Sequence, residues 1–253
     1  MHVPSAVALI PARAGSQRLP GKNLIPLAGH PLIAYTIAAA QESGVFDAVL
    51  SSTDSEEIAD VARRYGAEVP GLRPAQIATA TSPDIEWVLH AMRDRQEEVF
   101  SILRPTSPFR SGSTIVRAMT RFLELGDRID SLRAVEPCRQ HPGKMWLVEG
   151  DLMRPLLEQP EEETPLHSRQ YQSLPKVYVQ NSSLEIAWTR VLNDAVPTIS
   201  GSRVAPFFTE GCEGFSIDYP IDLEVAERLV AQEATLPAPR ASRGLARDVA
   251  QTS

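Results

Sequence analysis

At 253 residues with 43% apolar side chains, the chain is long and apolar enough for one sizeable α/β core. A net charge of −7 argues against non-specific nucleic-acid or membrane-surface binding, and no apolar run reaches the length of a membrane span. Two cysteines, Cys138 and Cys212, are too few for a disulfide framework; with no signal peptide ahead of them, both are expected to be reduced thiols in a cytoplasmic protein.

The first predicted element is a buried strand over residues 6–10, Ala-Val-Ala-Leu-Ile. It empties into a loop unlike the rest of the chain. The first 41 residues carry Arg13, Arg18 and Lys22 but no Asp or Glu, although the protein as a whole is acidic. Small residues there let backbone N–H groups approach phosphate oxygens, and the long cations neutralise charge, so the loop suits a nucleotide. It is not a P-loop: Gly15 and Gly21 enclose one residue too many, and Asn23 stands where the magnesium-binding hydroxyl would be. The dinucleotide fingerprint Gly-x-Gly-x-x-Gly is missing as well.

A helix follows over 31–44, ending on Gly44, then a strand over 48–54 and an amphipathic helix over 55–65 stopped by Gly66. A short strand at 68–69, a helix over 84–95 and a core strand over 99–103 continue the alternation. Strand–helix repeats of this length imply a parallel sheet covered on both faces. Ligands of such sheets sit beyond the carboxyl ends of the strands, where the first loop, Ser51-Ser-Thr-Asp54 and Arg104-Pro-Thr-Ser-Pro-Phe-Arg110 all fall. After Val135 the pattern changes. Residues 137–182 are proline-rich, with a Glu161-Glu-Glu163 run, and read as an excursion carrying antiparallel strands near 145–149 and 177–179. Composition leaves a lid, a dimer contact and a plain surface insertion open. A strand over 183–188 and a helix over 221–233 complete a single domain over 1–235, followed by a flexible tail over 236–253.

Seven segments of this chain occur in an order and spacing that resemble the acylneuraminate (sialic acid) cytidylyltransferases, over most of the chain up to about Glu227. They are Pro11-Ala-Arg13 with Ser16, Arg18-Leu-Pro-Gly-Lys-Asn23, Ser52-Thr-Asp54, Leu72-Arg-Pro-Ala75, Arg104-Pro-Thr-Ser-Pro-Phe-Arg110, His141-Pro-Gly-Lys144 and Asp218-Tyr-Pro-Ile-Asp-Leu223. The resemblance implies a three-layer, Rossmann-like nucleotidyltransferase fold with a mainly parallel sheet. Residues 137–182 would be a dimerisation or lid insertion exchanged between two subunits of a homodimer. The implied reaction is attack of a sugar-acid hydroxyl on the α-phosphate of CTP, giving a CMP-sugar and pyrophosphate.

By the same resemblance Arg13, Ser16, Arg18, Lys22 and Asn23 hold the triphosphate, with Lys22 and Arg13 catalytic. Arg73 and Asp84 lie near the base and ribose; Arg104, Lys144, Arg169 and Asn181 contact the sugar; Asp218 holds Mg²⁺. Three departures stand out. Gln17 replaces a common Lys, with Arg18 beside it to supply the charge. Ser216 replaces a common Asp, which leaves Asp222 or a water as the substitute metal ligand. Arg104 replaces Gln, which favours a different acyl group or an extra acidic group on the acceptor. Plainer readings stand beside these: Arg73 as a turn residue facing water, Asp222 as a helix cap, Lys144 and Arg169 as exposed loop charges, and His141 as structural. A 3-deoxy-manno-octulosonate or other sugar nucleotidyltransferase is the second enzyme reading, which the segments at 72–75 and 104–110 disfavour. A nucleotide-binding module without catalysis is the alternative that Ser216 motivates.

Overall fold

In the computed structural model, which describes residues 2–159, 163–232 and 234–241, β1 (Ala6–Pro11) is buried almost throughout, as its apolar run requires. The nucleotide-type loop leaves its end, and a 3₁₀ turn at Lys22–Leu24 leads to a minimal hairpin, β2 (Pro26–Leu27) and β3 (His30–Pro31). α1 (Leu32–Ser43) stops where Gly44 turns left-handed at φ 64°. β4 (Ala48–Ser52) precedes α2 (Glu56–Arg64), whose first turn is capped by Ser55 Oγ accepting from Ile58 N at 3.3 Å. α3 (Asp84–Met92) and β5 (Val99–Ile102) follow.

Next come α4 (Gly112–Leu125), β6 (Ser131–Pro137), the pair β7 (Trp146–Glu149) and β8 (Leu152–Pro155), β9 (Tyr178–Trp188), β10 (Val204–Phe208) and α5 (Pro220–Ala231). The chain divides into two compact units, Met1–Ala134 with Asn181–Ser253, and Val135–Gln180. The central sheet is six-stranded in the order β10-β6-β9-β5-β1-β4. β1 runs parallel to both neighbours, with Leu9 opposite Leu50 and Ile102, whereas β9 is antiparallel to β5 and sets Glu185 opposite Ile102. Apolar side chains cover both faces. Ala8 and Ile10 pack with Ile33, Ile37, Ile115 and Phe122; Val7 and Leu9 pack with Leu50, Trp87, Val88 and Phe100. Each such side chain buried contributes on the order of 2 kcal/mol, so the three layers are held chiefly by these two clusters.

The expected parallel core is present, and the later elements refine it. α4 lies in the stretch 104–135, to which no helix was assigned from the sequence; Ile115, Ala118, Met119 and Phe122 form its buried stripe. The strands expected at 177–179 and 183–188 are one strand, β9, of 11 residues. Helix α3 ends at Met92 rather than continuing to Arg95. Glu68 joins the sheet through a parallel bridge to Leu50. Leu236, placed by the sequence in a flexible tail, packs beside Ile217 and Ala226, and Ala238 N donates to Glu42 at 2.9 Å. The remainder of that tail (242–253), the end of the expected last helix at Glu233, and Glu161 and Glu162 lie outside the described residues.

The second unit holds the antiparallel hairpin β7–β8, with Leu147 opposite Arg154. His141 is buried there. Its Nδ1 accepts from Gly143 N at 2.9 Å and its Nε2 lies 3.0 Å from the Pro175 carbonyl, so it is a structural residue as expected.

Candidate active site

The loop after β1 is shaped by its own polar side chains. Ala12 N donates to Ser52 O at 2.9 Å, and Ala14 N donates to Asp54 Oδ1 at 2.8 Å, which pin its start to the end of β4. Asn23, only 5% exposed, donates through Nδ2 to Arg13 O at 3.0 Å. Its amide therefore closes the loop on itself. Gly21 takes a left-handed φ of 65° at the turn that brings Lys22 round, and Ser16 sits on a local turn with its N–H on Ala14 O at 2.8 Å.

Lys22 and Arg18 converge on one carboxylate oxygen from the other end of the chain. Lys22 Nζ lies 3.0 Å and Arg18 Nη2 3.3 Å from Asp218 Oδ1, while Ser216 Oγ donates to Asp218 Oδ2 at 2.7 Å. Burial pulls the Asp218 carboxyl upward, but the Ser216 hydroxyl, Lys22 and Arg18 outweigh it and hold it below the ordinary carboxylate range. Ser216 thus orients Asp218 and favours its ionised form. Asp222 Oδ2 accepts from Asp218 N at 2.9 Å and Tyr219 N at 2.8 Å, which makes it the cap of α5, as the plainer sequence reading had it.

A second chain of charges crosses the carboxyl ends of the strands. Arg73 is only 6% exposed, which overturns its reading as a turn residue facing water. Its Nε donates to Ser52 Oγ at 3.1 Å, its Nη2 to Ser52 O at 2.9 Å, and its guanidinium lies over the Trp87 ring at 5.2 Å. Burial lowers it to about 10, against the pull of Asp54 and Asp84, and the charge of Arg13 pushes it the same way as burial. Both Asp84 oxygens are engaged: Oδ1 accepts from Trp87 Nε1 at 2.7 Å and Oδ2 from Arg104 Nη2 at 2.6 Å. Arg104 Nη2 also donates to Glu185 Oε1 at 3.1 Å, and Glu185 Oε2 lies 2.9 Å from Arg133 Nη2. Signs therefore alternate through Arg13, Asp54, Arg73, Asp84, Arg104, Glu185 and Arg133.

Beneath this row lies Arg110, fully buried, with no carboxylate partner among the described residues. It donates to Arg104 O at 3.3 Å, to Thr36 Oγ1 at 2.8 Å and to the Ser183 carbonyl. Burial lowers its guanidinium to about 9, still charged at neutral pH. Neither Arg110 nor Glu185 was assigned a role from the sequence. The first was visible as the end of a motif; the second carried no local signal. Asn181, predicted to meet the sugar, donates to Thr209 Oγ1 at 2.9 Å and accepts from Ser183 N at 3.2 Å on β9. Lys144 and Arg169 lie together in the second unit. Lys144 Nζ donates to Arg169 O at 2.7 Å and His167 O at 3.1 Å, and Arg169 donates to Thr164 O and Glu163.

A mainly parallel sheet whose first loop gathers cations at its carboxyl edge, without P-loop or dinucleotide spacing, is the arrangement that the resemblance to nucleotidyltransferases implies. Comparison with known proteins narrows the class. The family model described as cytidylyltransferase matches residues 7–140. The CMP-N,N'-diacetyllegionaminic acid synthase of Legionella pneumophila is 38% identical over 231 residues, covering 88% of this chain and 95% of that protein. The N-acylneuraminate cytidylyltransferase of Escherichia coli is 42% identical over 120 residues, covering 47% of this chain and 28% of that protein. Among solved structures, a CMP:2-keto-3-deoxy-manno-octonic acid synthetase complexed with CTP superposes with a TM-score of 0.65 at 17% identity, covering 90% of this chain and 99% of that one, and shares the fold. The chain belongs to the cytidylyltransferase family and is a nucleotidyltransferase enzyme.

Proposed function

We propose that this enzyme transfers CMP from CTP to a sialic-acid-like 2-keto sugar acid and releases pyrophosphate. The observation that carries the reading is the loop 11–23, whose Lys22 ammonium is held 3.0 Å from Asp218 at the carboxyl edge of the parallel strands. Similarity to a CMP-N,N'-diacetyllegionaminic acid synthase over 88% of the chain supports the acceptor class. A hydroxyl of the acceptor attacks the α-phosphorus, the bond to the β-phosphate oxygen breaks, and pyrophosphate leaves. Such a transfer needs positioning and charge stabilisation more than covalent help from the protein. Lys22 and Arg13 stabilise the charge that develops on the transferring phosphate. Arg18, Ser16 and the loop amides hold the rest of the triphosphate, with Asn23 keeping the loop in shape. Arg73 and Asp84 form the nucleoside end, and Arg104 and Asn181 the acceptor end.

The reaction calls for a divalent cation, and we assign Mg²⁺ to Asp218 and Ser216. The fit rests on their donors: an ionised carboxylate and a hydroxyl whose oxygens are 2.7 Å apart. No group of three or more metal-ligating side chains occurs among the described residues, so substrate phosphates and water would supply the other ligands, which suits Mg²⁺. When bound, the ion neutralises phosphate charge. We also propose a homodimer built on the second unit, where Val148 (73% exposed) and Leu152 (78% exposed) offer apolar surface on the β7–β8 hairpin. In that dimer we propose that Lys144 and Arg169 serve the acceptor carboxylate of the partner subunit's site. We propose a cytoplasmic location on the ground that CTP is available there; separately, no described helix is long and apolar enough to cross a membrane.

Phosphorus NMR of the enzyme with CTP, Mg²⁺ and N,N'-diacetyllegionaminate tests the reading. A new phosphodiester signal, matched by free pyrophosphate, is expected. An unchanged CTP spectrum with every nine-carbon 2-keto acid would contradict it.

A further inference from the structure

We propose that Tyr219 is a positioning residue for the triphosphate: it keeps Arg18 in the site when Mg²⁺ takes the Asp218 carboxylate that Arg18 otherwise shares with Lys22. The inference deepens the proposed function. It rests on reading loop 11–23 as the triphosphate site and Asp218 as the metal ligand.

The sequence brings the two side chains together through their neighbours. Leu19, beside Arg18, and Ile217, two residues before Tyr219, are buried in the same apolar cluster, so the loop after β1 is tied to the entry of α5. Tyr219 precedes Pro220, which favours extended backbone, and it takes φ −125° and ψ 162°. Its N–H donates to Asp222 Oδ2 at 2.8 Å. With the backbone fixed in this way, the side chain stands half exposed beside the loop. The Arg18 guanidinium lies over its ring, 5.3 Å from the centroid.

Arg18 needs that support more than Lys22 does. The Lys22 side chain is 15% exposed and confined by its surroundings. That of Arg18 is 58% exposed, and a long exposed side chain gives up rotamer freedom to hold one position. The Tyr219 hydroxyl and then the Asp218 charge hold the Arg18 guanidinium above its ordinary range, with Asp222 contributing least. Asp222 is a poor substitute for Asp218, because its Oδ2 already accepts from two backbone N–H groups. Both cations lie against Asp218 Oδ1, so Mg²⁺ at that carboxylate turns their attraction into repulsion between like charges. Burial keeps Lys22 in place. Tyr219 keeps Arg18, since a neutral ring attracts the guanidinium whether or not the carboxylate is engaged.

Calorimetry of CTP binding to the full chain, with Mg²⁺ and with a chelator in its place, tests the proposal. Without Mg²⁺, Asp218 still holds Arg18, and Tyr219→Ala should change CTP affinity by less than about twofold. With Mg²⁺, the same variant should weaken CTP binding about fivefold, the worth of one cation–π contact. Tyr219→Phe keeps the ring and loses the hydroxyl, so it should fall between wild type and Tyr219→Ala. In an Arg18→Ala background, Tyr219→Ala should have no further effect, a result that general damage to the entry of α5 would not give. A Mg²⁺-dependent loss confined to chains that carry Arg18 supports the proposal. An equal loss in both media, a loss that persists in the Arg18→Ala background, or no loss in either medium would overturn it. Failure of the wild-type protein to bind CTP in either medium would instead remove the proposed function, and this inference with it.

Discussion

Lys22 and Asp218 are separated by 196 residues in sequence and by 3.0 Å in space. The cation belongs to a recognisable loop and its carboxylate to the entry of a distant helix, so each was legible from its own motif while their pairing was not. Ser216 shows the same limit. As a sequence change it suggested a weakened metal site; in the structure its hydroxyl supports the one carboxylate that remains. Arg73 also needed the structure, because only burial against Trp87 and Ser52 distinguishes it from an ordinary surface charge. Lys22→Ala should lower turnover at least about tenfold, since it removes charge stabilisation made mainly in the transition state. Asp218 keeps Arg18 and Ser216 as partners, so thermal unfolding should stay close to that of the wild type. Wild-type turnover in that variant would remove Lys22 from the chemistry.

At the scale of elements, what was legible had a local cause. Helices α1 and α2 announced themselves through apolar spacing and through the stops at Gly44 and Gly66. Helix α4 had an equally periodic stripe but lies in a stretch dominated by a conspicuous loop motif. Glu185 was out of reach for another reason: it meets Arg104 only because β9 pairs antiparallel with β5, and register between distant strands has no local signal. Asp130, just before β6, carries a load of the same non-local kind. It accepts from Arg203 N at 2.9 Å, Arg203 Nη2 at 2.8 Å and Ser202 N at 3.1 Å, and these bonds, led by the Arg203 side chain, hold its carboxyl far below the ordinary range.

A carboxyl depressed in the folded state stabilises at neutral pH, and that contribution fades as pH falls below the unfolded value near about 4. Asp130→Asn should therefore cost about 2 kcal/mol in urea unfolding at neutral pH, and the two proteins should converge as the medium becomes strongly acidic. A constant gap across pH would contradict the assignment. The β2–β3 turn offers the converse test. Ala28 and Gly29 take φ of 45° and 88°, a pairing of left-handed residues in which alanine is strained. Ala28→Gly should raise stability by about 1 kcal/mol, read as a higher unfolding midpoint; a lower one would show the turn unstrained.

Across the whole first unit, the alternating charges from Arg13 to Arg133 follow the strands β1, β4, β5, β9 and β6, so sheet topology assembles a site from residues scattered between positions 13 and 185 of the sequence. Four arginines face three carboxylates along it, with the buried Arg110 beside them, so the row keeps positive charge for anionic substrates. The second unit carries exposed apolar side chains that a monomer would leave in water. Replacing Val148 and Leu152 together with Glu should convert a dimer to monomer in analytical ultracentrifugation, with secondary structure unchanged. A wild-type protein that sediments as a monomer at micromolar concentration would contradict the dimer proposal.

Pyrophosphate release with CTP, Mg²⁺ and a panel of 2-keto sugar acids tests the central claim most directly, with each substrate also supplied alone. Release that requires CTP together with one nine-carbon acid is the predicted result. Clear CTP binding with no release from any acid would contradict catalysis and leave this loop as a nucleotide-binding device only.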